Sequence, residues 1–200
     1  LSNMFNGCTG LTDISNLVLL ATTLSNSCYS FMFNGCTGLT DISNLVLPAT
    51  TMAQDCYRGM FYNCNNLTTV PELPATNLAY ECYYQMFYKC SGIRTVPSNL
   101  LPATTLAERC YANMFGSCLS LVNAPELPTT ALVNSCYYQM FDSCSNLNYV
   151  KCLATDISAN NCTFMWLTNV ASTGTFVTPS STGWGTGNDG IPNNWTRVDA

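Results

Sequence analysis

Cysteine is the residue with the most chemistry to offer in this 200-residue chain, which has 13 Cys, 11 Asp and Glu, 6 Lys and Arg, and no His. Without an imidazole, neither a Ser/His/Asp nor a Cys/His nucleophile can be assembled. Cysteines recur in pairs eight residues apart, as in Cys56 and Cys64 or Cys82 and Cys90. That is not a zinc spacing, and no His is present to complete a mixed site. On a helix the two thiols of a pair would lie about 12 Å apart, too far to bond. Equivalent cysteines in stacked units would have β-carbons about 5 Å apart, wider than the ~3.8 Å a disulfide prefers. The pairs therefore read as small apolar packing residues. Disulfides stay open as an alternative, above all at Cys152 and Cys162, which fall outside the recurring positions. Paired carboxylates could hydrolyse a glycoside, but the eleven are dispersed, and Glu72 and Glu126, which share a register position, lie two units and about 10 Å apart. The glycines of 183–190 follow no strand–helix unit and make no phosphate loop. The expectation is a chain with no catalytic centre, no metal and no cofactor.

The elements that position these residues are internal repeats. Met-Phe recurs at Met4, Met32, Met60, Met86, Met114 and Met140, in steps of 28, 28, 26, 28 and 26 residues, with an echo at Met165-Trp166. Residues 4–23 and 32–51 differ only at Leu20 against Pro48. Around each Met-Phe the register is fixed. Cys-Tyr precedes it at Cys56-Tyr57 and Cys82-Tyr83, Cys64 or Cys90 follows, and then come a Leu column (Leu39, Leu67, Leu121) and an Ile/Val column (Ile42, Val70, Val150). Cys, Met and Cys at i, i+4 and i+8 share a helix face, which Tyr and Phe widen, so the spacing predicts a short helix of about two turns. The Leu-x-x-Val stretch predicts a strand, ended at Pro71, Pro97 or Pro125. One strand and one helix per unit cannot bury their own apolar faces, whereas stacked units bury them together. The expected fold class is therefore an α/β right-handed solenoid of about six coils of 25–28 residues. It would occupy residues 1–167, followed by a capping segment, 168–200, in which Phe176, Trp184, Ile191 and Trp195 cover the last coil. No matching cap precedes Leu1, so the N-terminal face is expected to be open to self-association.

Only 8% of residues are charged, and stacking explains this, since a charged column would set like charges about 5 Å apart. Six scattered cations under a net charge of −5 argue against nucleic acid. No stretch is long and apolar enough to insert as a membrane helix. Recognition is expected on the two columns between Leu and Val, which change type from unit to unit while the core columns do not. Their candidate contact residues are Thr40, Asp41, Thr68, Thr69, Arg94, Thr95, Asn123, Asn148 and Tyr149. On the far face, Tyr84, Tyr88 and Tyr138 are further contact candidates.

The unit Met-Phe-x-x-Cys-x-x-Leu preceded by Cys-Tyr, together with the tail from Gly190-Ile191-Pro192 to Trp195-Thr196, resembles the BspA-like class of leucine-rich repeats. Met stands where that class has Ala, and the units are longer. The resemblance implies a leucine-rich-repeat fold, an extracellular or bacterial cell-surface location, and a non-enzymatic adhesion role toward a host extracellular protein or glycan. A structural spacer within a larger surface protein is the second reading, and the two near-identical first units favour it.

Overall fold

The computed structural model describes residues 1–200 and contains no helix. Its regular elements are three short strands, β1 (Tyr149–Lys151), β2 (Gly174–Thr178) and β3 (Trp195–Asp199), paired in parallel in the order β1-β2-β3. This overturns the α/β leucine-rich-repeat assignment, with its strand and helix in each coil. Of 99 backbone–backbone hydrogen bonds, only 6 belong to the strands, so most of the order lies in another kind of element.

That element occupies the Cys-Tyr-x-x-Met-Phe-x-x-Cys segments. In the third coil, Arg58, Met60, Tyr62 and Cys64 donate N–H to the carbonyls of Asp55, Tyr57, Gly59 and Phe61, closing overlapping four-residue turns. The intervening N–H groups of Tyr57, Gly59, Phe61 and Asn63 donate instead to Cys82, Tyr84, Met86 and Tyr88 of the next coil. Every second turn has a left-handed third residue, which is the type II pattern. In this coil those residues are Asp55 (φ 54°), Gly59 (φ 56°) and Asn63 (φ 59°). The period is thus four residues: Cys56, Tyr57, Met60, Phe61 and Cys64 point inward, and Asp55, Arg58, Tyr62 and Asn63 outward. Seventeen non-glycine residues take positive φ, nearly all of them in these ribbons. Each costs on the order of 1 kcal/mol, and the inter-coil bonds that this geometry permits offset that cost.

Stacking brings like onto like. Phe33, Phe61, Phe87, Phe115 and Phe141 form a column with ring centroids 5.3 to 5.7 Å apart and planes within 16°. Tyr29, Tyr57, Tyr83, Tyr111 and Tyr137 form a second column, and Trp166 stacks on its end at 6.0 Å. Trp166 shares the register of Met140, since Phe141 N–H donates to its carbonyl, so the Met165-Trp166 echo is displaced by one residue.

Proline explains why strands are missing from most coils. The residue after the Ile/Val column is Pro71, Pro97 or Pro125 in the third to fifth coils, and each removes a ladder donor. The same position holds Lys151 in β1 and Val177 in β2, where the ladder forms. In the first two coils Asp13 and Asp41 accept the N–H of Ser15 and Ser43 at 2.7 and 2.9 Å, and the chain turns away.

Residues 168–200 extend the stack through β2 and β3. Trp184 stacks on Trp166 at 5.3 Å, and Phe176 meets both rings edge-on. Trp195 is also buried, its Nε1 donating to the Ala171 carbonyl at 2.8 Å. Gly174 is required there, because a Cβ would lie 2.6 Å from the Trp195 ring. Arg197 donates to the carbonyls of Pro179, Ser180 and Thr182.

All ribbon inter-coil bonds run from an earlier N–H to a later carbonyl, so the last ribbon presents N–H groups as a helix N-terminus does. Asp189 meets them: its Oδ1 accepts Met165 N–H at 2.7 Å, and its carbonyl accepts the Thr163 hydroxyl at 2.8 Å. Asp189→Ala is expected to cost about 1–2 kcal/mol. The check is a lower urea midpoint with amide protection lost at Met165 and retained at Gly59. An unchanged midpoint would disprove the capping role.

Candidate binding surface

The nine candidate contact residues lie on one face, all exposed except half-buried Thr69. The coils bring some of them together. Thr68 donates both its N–H and its hydroxyl to the Thr40 carbonyl, at 2.9 and 2.8 Å. The Thr69 hydroxyl donates to Asp41 at 2.7 Å and accepts Ile42 N–H at 2.9 Å. The Ser43 N–H and this hydroxyl hold the Asp41 carboxyl below the usual carboxylate range, so part of its bonding capacity is already used. Asn123 is bridged to Tyr149. Arg94 and Asn148 do not touch, since Val122 lies between them, donating to the Arg94 carbonyl and accepting Asn148 N–H. The Arg94 guanidinium forms no ion pair with the chain. The face is polar, and a recess of about 140 Å³ lies on it near Asp13 and Asp41.

The opposite, ribbon face has a cluster that sequence reasoning missed. Glu81, 5% exposed, accepts Arg58 and Arg109 at 2.6 Å each. Both guanidiniums lie over the Tyr84 ring, at 4.8 and 5.3 Å, and Arg109 also lies 5.9 Å from the Tyr138 ring. Ala112 occupies the register between Tyr84 and Tyr138, and Arg109 covers the space its small side chain leaves. The signal was available, because Asp55, Glu81 and Arg109 share one register position, with Arg58 and Tyr84 sharing another. Tyr84, Tyr88 and Tyr138 are half-buried here, and Tyr88 stacks on Tyr62 at 5.2 Å.

All thirteen cysteines are free thiols, and only Cys8 is exposed. Cys152 and Cys162 are no exception, and both lie in register after all. Cys162 continues the column of Cys136, and Cys152 follows Leu127. The second cysteine column does more than fill space: Cys36, Cys64, Cys90, Cys118 and Cys144 donate S–H to a Phe carbonyl of the preceding coil at 3.0 to 3.1 Å. Burial pushes Cys64 and Cys144 up to about 12. Thiol titration in urea without reductant is therefore expected to find all thirteen thiols, and the native chain to offer chiefly Cys8. A large shortfall in urea would mean that disulfides had formed. No group of three or more Cys, Asp or Glu is arranged to hold a metal ion, and no helix is long and apolar enough to cross a membrane.

Comparison with protein-family models, with curated proteins and with solved structures returned no match to this chain.

Proposed function

We propose that this chain is a non-catalytic recognition module that binds a host extracellular protein or glycan through the polar face bearing Arg94 and Tyr149. One observation carries the reading: uniform columns of Phe, Tyr, Met and Cys underlie a solvent-facing surface whose residues change from coil to coil. A rigid scaffold under a variable polar surface is the usual design of repeat proteins that bind. The location, secreted or on a bacterial surface, is supported by the resemblance of the Met-Phe-x-x-Cys-x-x-Leu unit to surface repeats. Burial supports it too, since thiols held protonated exchange slowly with an oxidising medium.

The test is a glycan array and a panel of matrix proteins probed with the chain, followed by the double substitution Arg94→Ala, Tyr149→Ala. Truncating an exposed arginine and an aromatic at a contact is expected to weaken the captured ligand by about tenfold or more. Unchanged affinity would place binding on another surface. The structural-spacer reading is favoured by the near-identity of residues 4–23 and 32–51, and it predicts no capture from either panel.

A further inference from the structure

The polar face is not the only surface with recognition chemistry. Where the prolines break the ladder, three clefts open between successive coils. The first, of about 270 Å³, lies between Val46, Pro48 and Glu72. The second, of about 490 Å³, lies between Glu72, Pro74, Asn99 and Pro102. The third, of about 260 Å³, lies between Asn99, Pro102, Glu126 and Pro128. Glu72 and Pro74 border the first and second, and Asn99 and Pro102 border the second and third, so the three form one trough. Three coil spacings amount to about 15 Å, the length of four or five extended residues.

The trough walls are mostly proline and leucine, and its charges are carboxylates. Glu126, which borders one end of the trough, is already met by Lys151 Nζ at 3.1 Å. Glu72 is exposed and has no ion pair. The backbone N–H groups of the exposed residues Glu72, Ser98 and Asn99 make no hydrogen bond within the chain, so they are free for another main chain. Val46, 63% exposed, extends the apolar wall beside Glu72.

We infer that this trough binds an extended peptide segment with a Lys or Arg flanked by apolar residues, the cation resting on Glu72. The apolar neighbours pack on the prolines, and the peptide backbone takes up the free N–H groups. The Lys151–Glu126 pair is the same contact made within the chain.

The experiment titrates ¹⁵N-labelled full chain with three synthetic peptides: acetyl-Ala-Leu-Lys-Leu-Ala-amide, and its counterparts with norleucine or Glu in place of Lys. Saturable shifts are expected at Glu72, Ser98 and Asn99, with the Glu peptide about tenfold weaker or worse than the Lys peptide. Glu72→Gln should remove the preference for Lys, and Arg94→Ala with Tyr149→Ala should leave it intact. Equal affinity for the three peptides, or no saturable shift at these amides, would overturn the proposal. So would trough shifts that grow with protein concentration alone, which would assign the surface to a second copy of the chain.

Discussion

Raising the pH from about 8 to about 10 is expected to unfold this protein, and buried thiols are the reason. Cys56, Cys64, Cys136, Cys144 and Cys152 are each pushed up to about 12 by burial, and Cys82 still further. In the unfolded chain the same groups ionise near 8.5. A group whose folded pKa is raised contributes stability fully below its unfolded pKa and loses it as pH climbs toward the folded value. The window therefore opens near pH 8.5 and runs to about 12. By pH 10 each thiol has lost about 2 kcal/mol, so the five together lose on the order of 10 kcal/mol. That is comparable to the whole stability of a typical domain, about 5–15 kcal/mol. The buried tyrosines Tyr83, Tyr111 and Tyr137, raised well above their ordinary value by burial, add to the loss at the upper end. The check is the urea midpoint by circular dichroism across this range, expected to be flat below pH 8 and to fall steeply above 9. Added salt separates this cause from charge repulsion, because it screens surface charge and leaves the cost of a buried thiolate in place. A midpoint unchanged at pH 10.5 would mean the thiols are solvated or already oxidised.

The columns were legible in the sequence because stacking demands like residues at fixed steps, and Phe61, Phe87 and Phe115 do lie one over another. The element carrying them was misread for a definable reason. Over the nine residues from Cys56 to Cys64, a period of four and a period of 3.6 put the same side chains on roughly one face. The difference lay in the outward positions. Asn3, Gly7, Gly35, Asp55, Gly59 and Asn63 tolerate left-handed φ and recur at the four-residue step in the first three coils, but the fourth coil places Glu81, Gln85 and Lys89 there, which read equally well as helix formers. The strands were misplaced because Pro71, Pro97 and Pro125 each remove a donor from the inter-coil ladder, leaving separate bonds such as Thr68 to Thr40 and Val122 to Arg94 in place of a continuous strand pair. Of the candidate surface, exposure was legible and connectivity was not. Thr69 and Asp41 were named as contacts, yet each satisfies the other across a coil boundary. The Glu81 ion pairs were legible in principle, since Asp55, Glu81 and Arg109 each directly precede the first Cys of a unit, whereas the proline trough was not, because the two-residue differences in coil length fall within it.

Phe87→Ala is expected to cost about 3–5 kcal/mol, whereas the same change at Phe5 should cost about 1. The two residues hold the same register position and differ in their neighbours. Phe87 is fully buried between Phe61 at 5.7 Å and Phe115 at 5.5 Å, so truncation opens a void lined on both sides by rings that cannot close over it. Phe5 is half-exposed and stacks on Phe33 alone, at 5.4 Å. The consequences should also differ in kind. Each coil binds chiefly the coils beside it, so a defect at Phe87 weakens both of its interfaces and divides the stack, whereas one at Phe5 frays an end. Urea unfolding of the Phe87 variant should therefore broaden or separate into two transitions. Amide protection should fall first at Phe61 and Phe87, whose N–H groups cross to Met86 and Met114. Phe87→Leu, which fills most of the void, should restore a single transition and more than half of the lost stability. Equal losses at Phe5 and Phe87 would show that the coils do not support one another through this column.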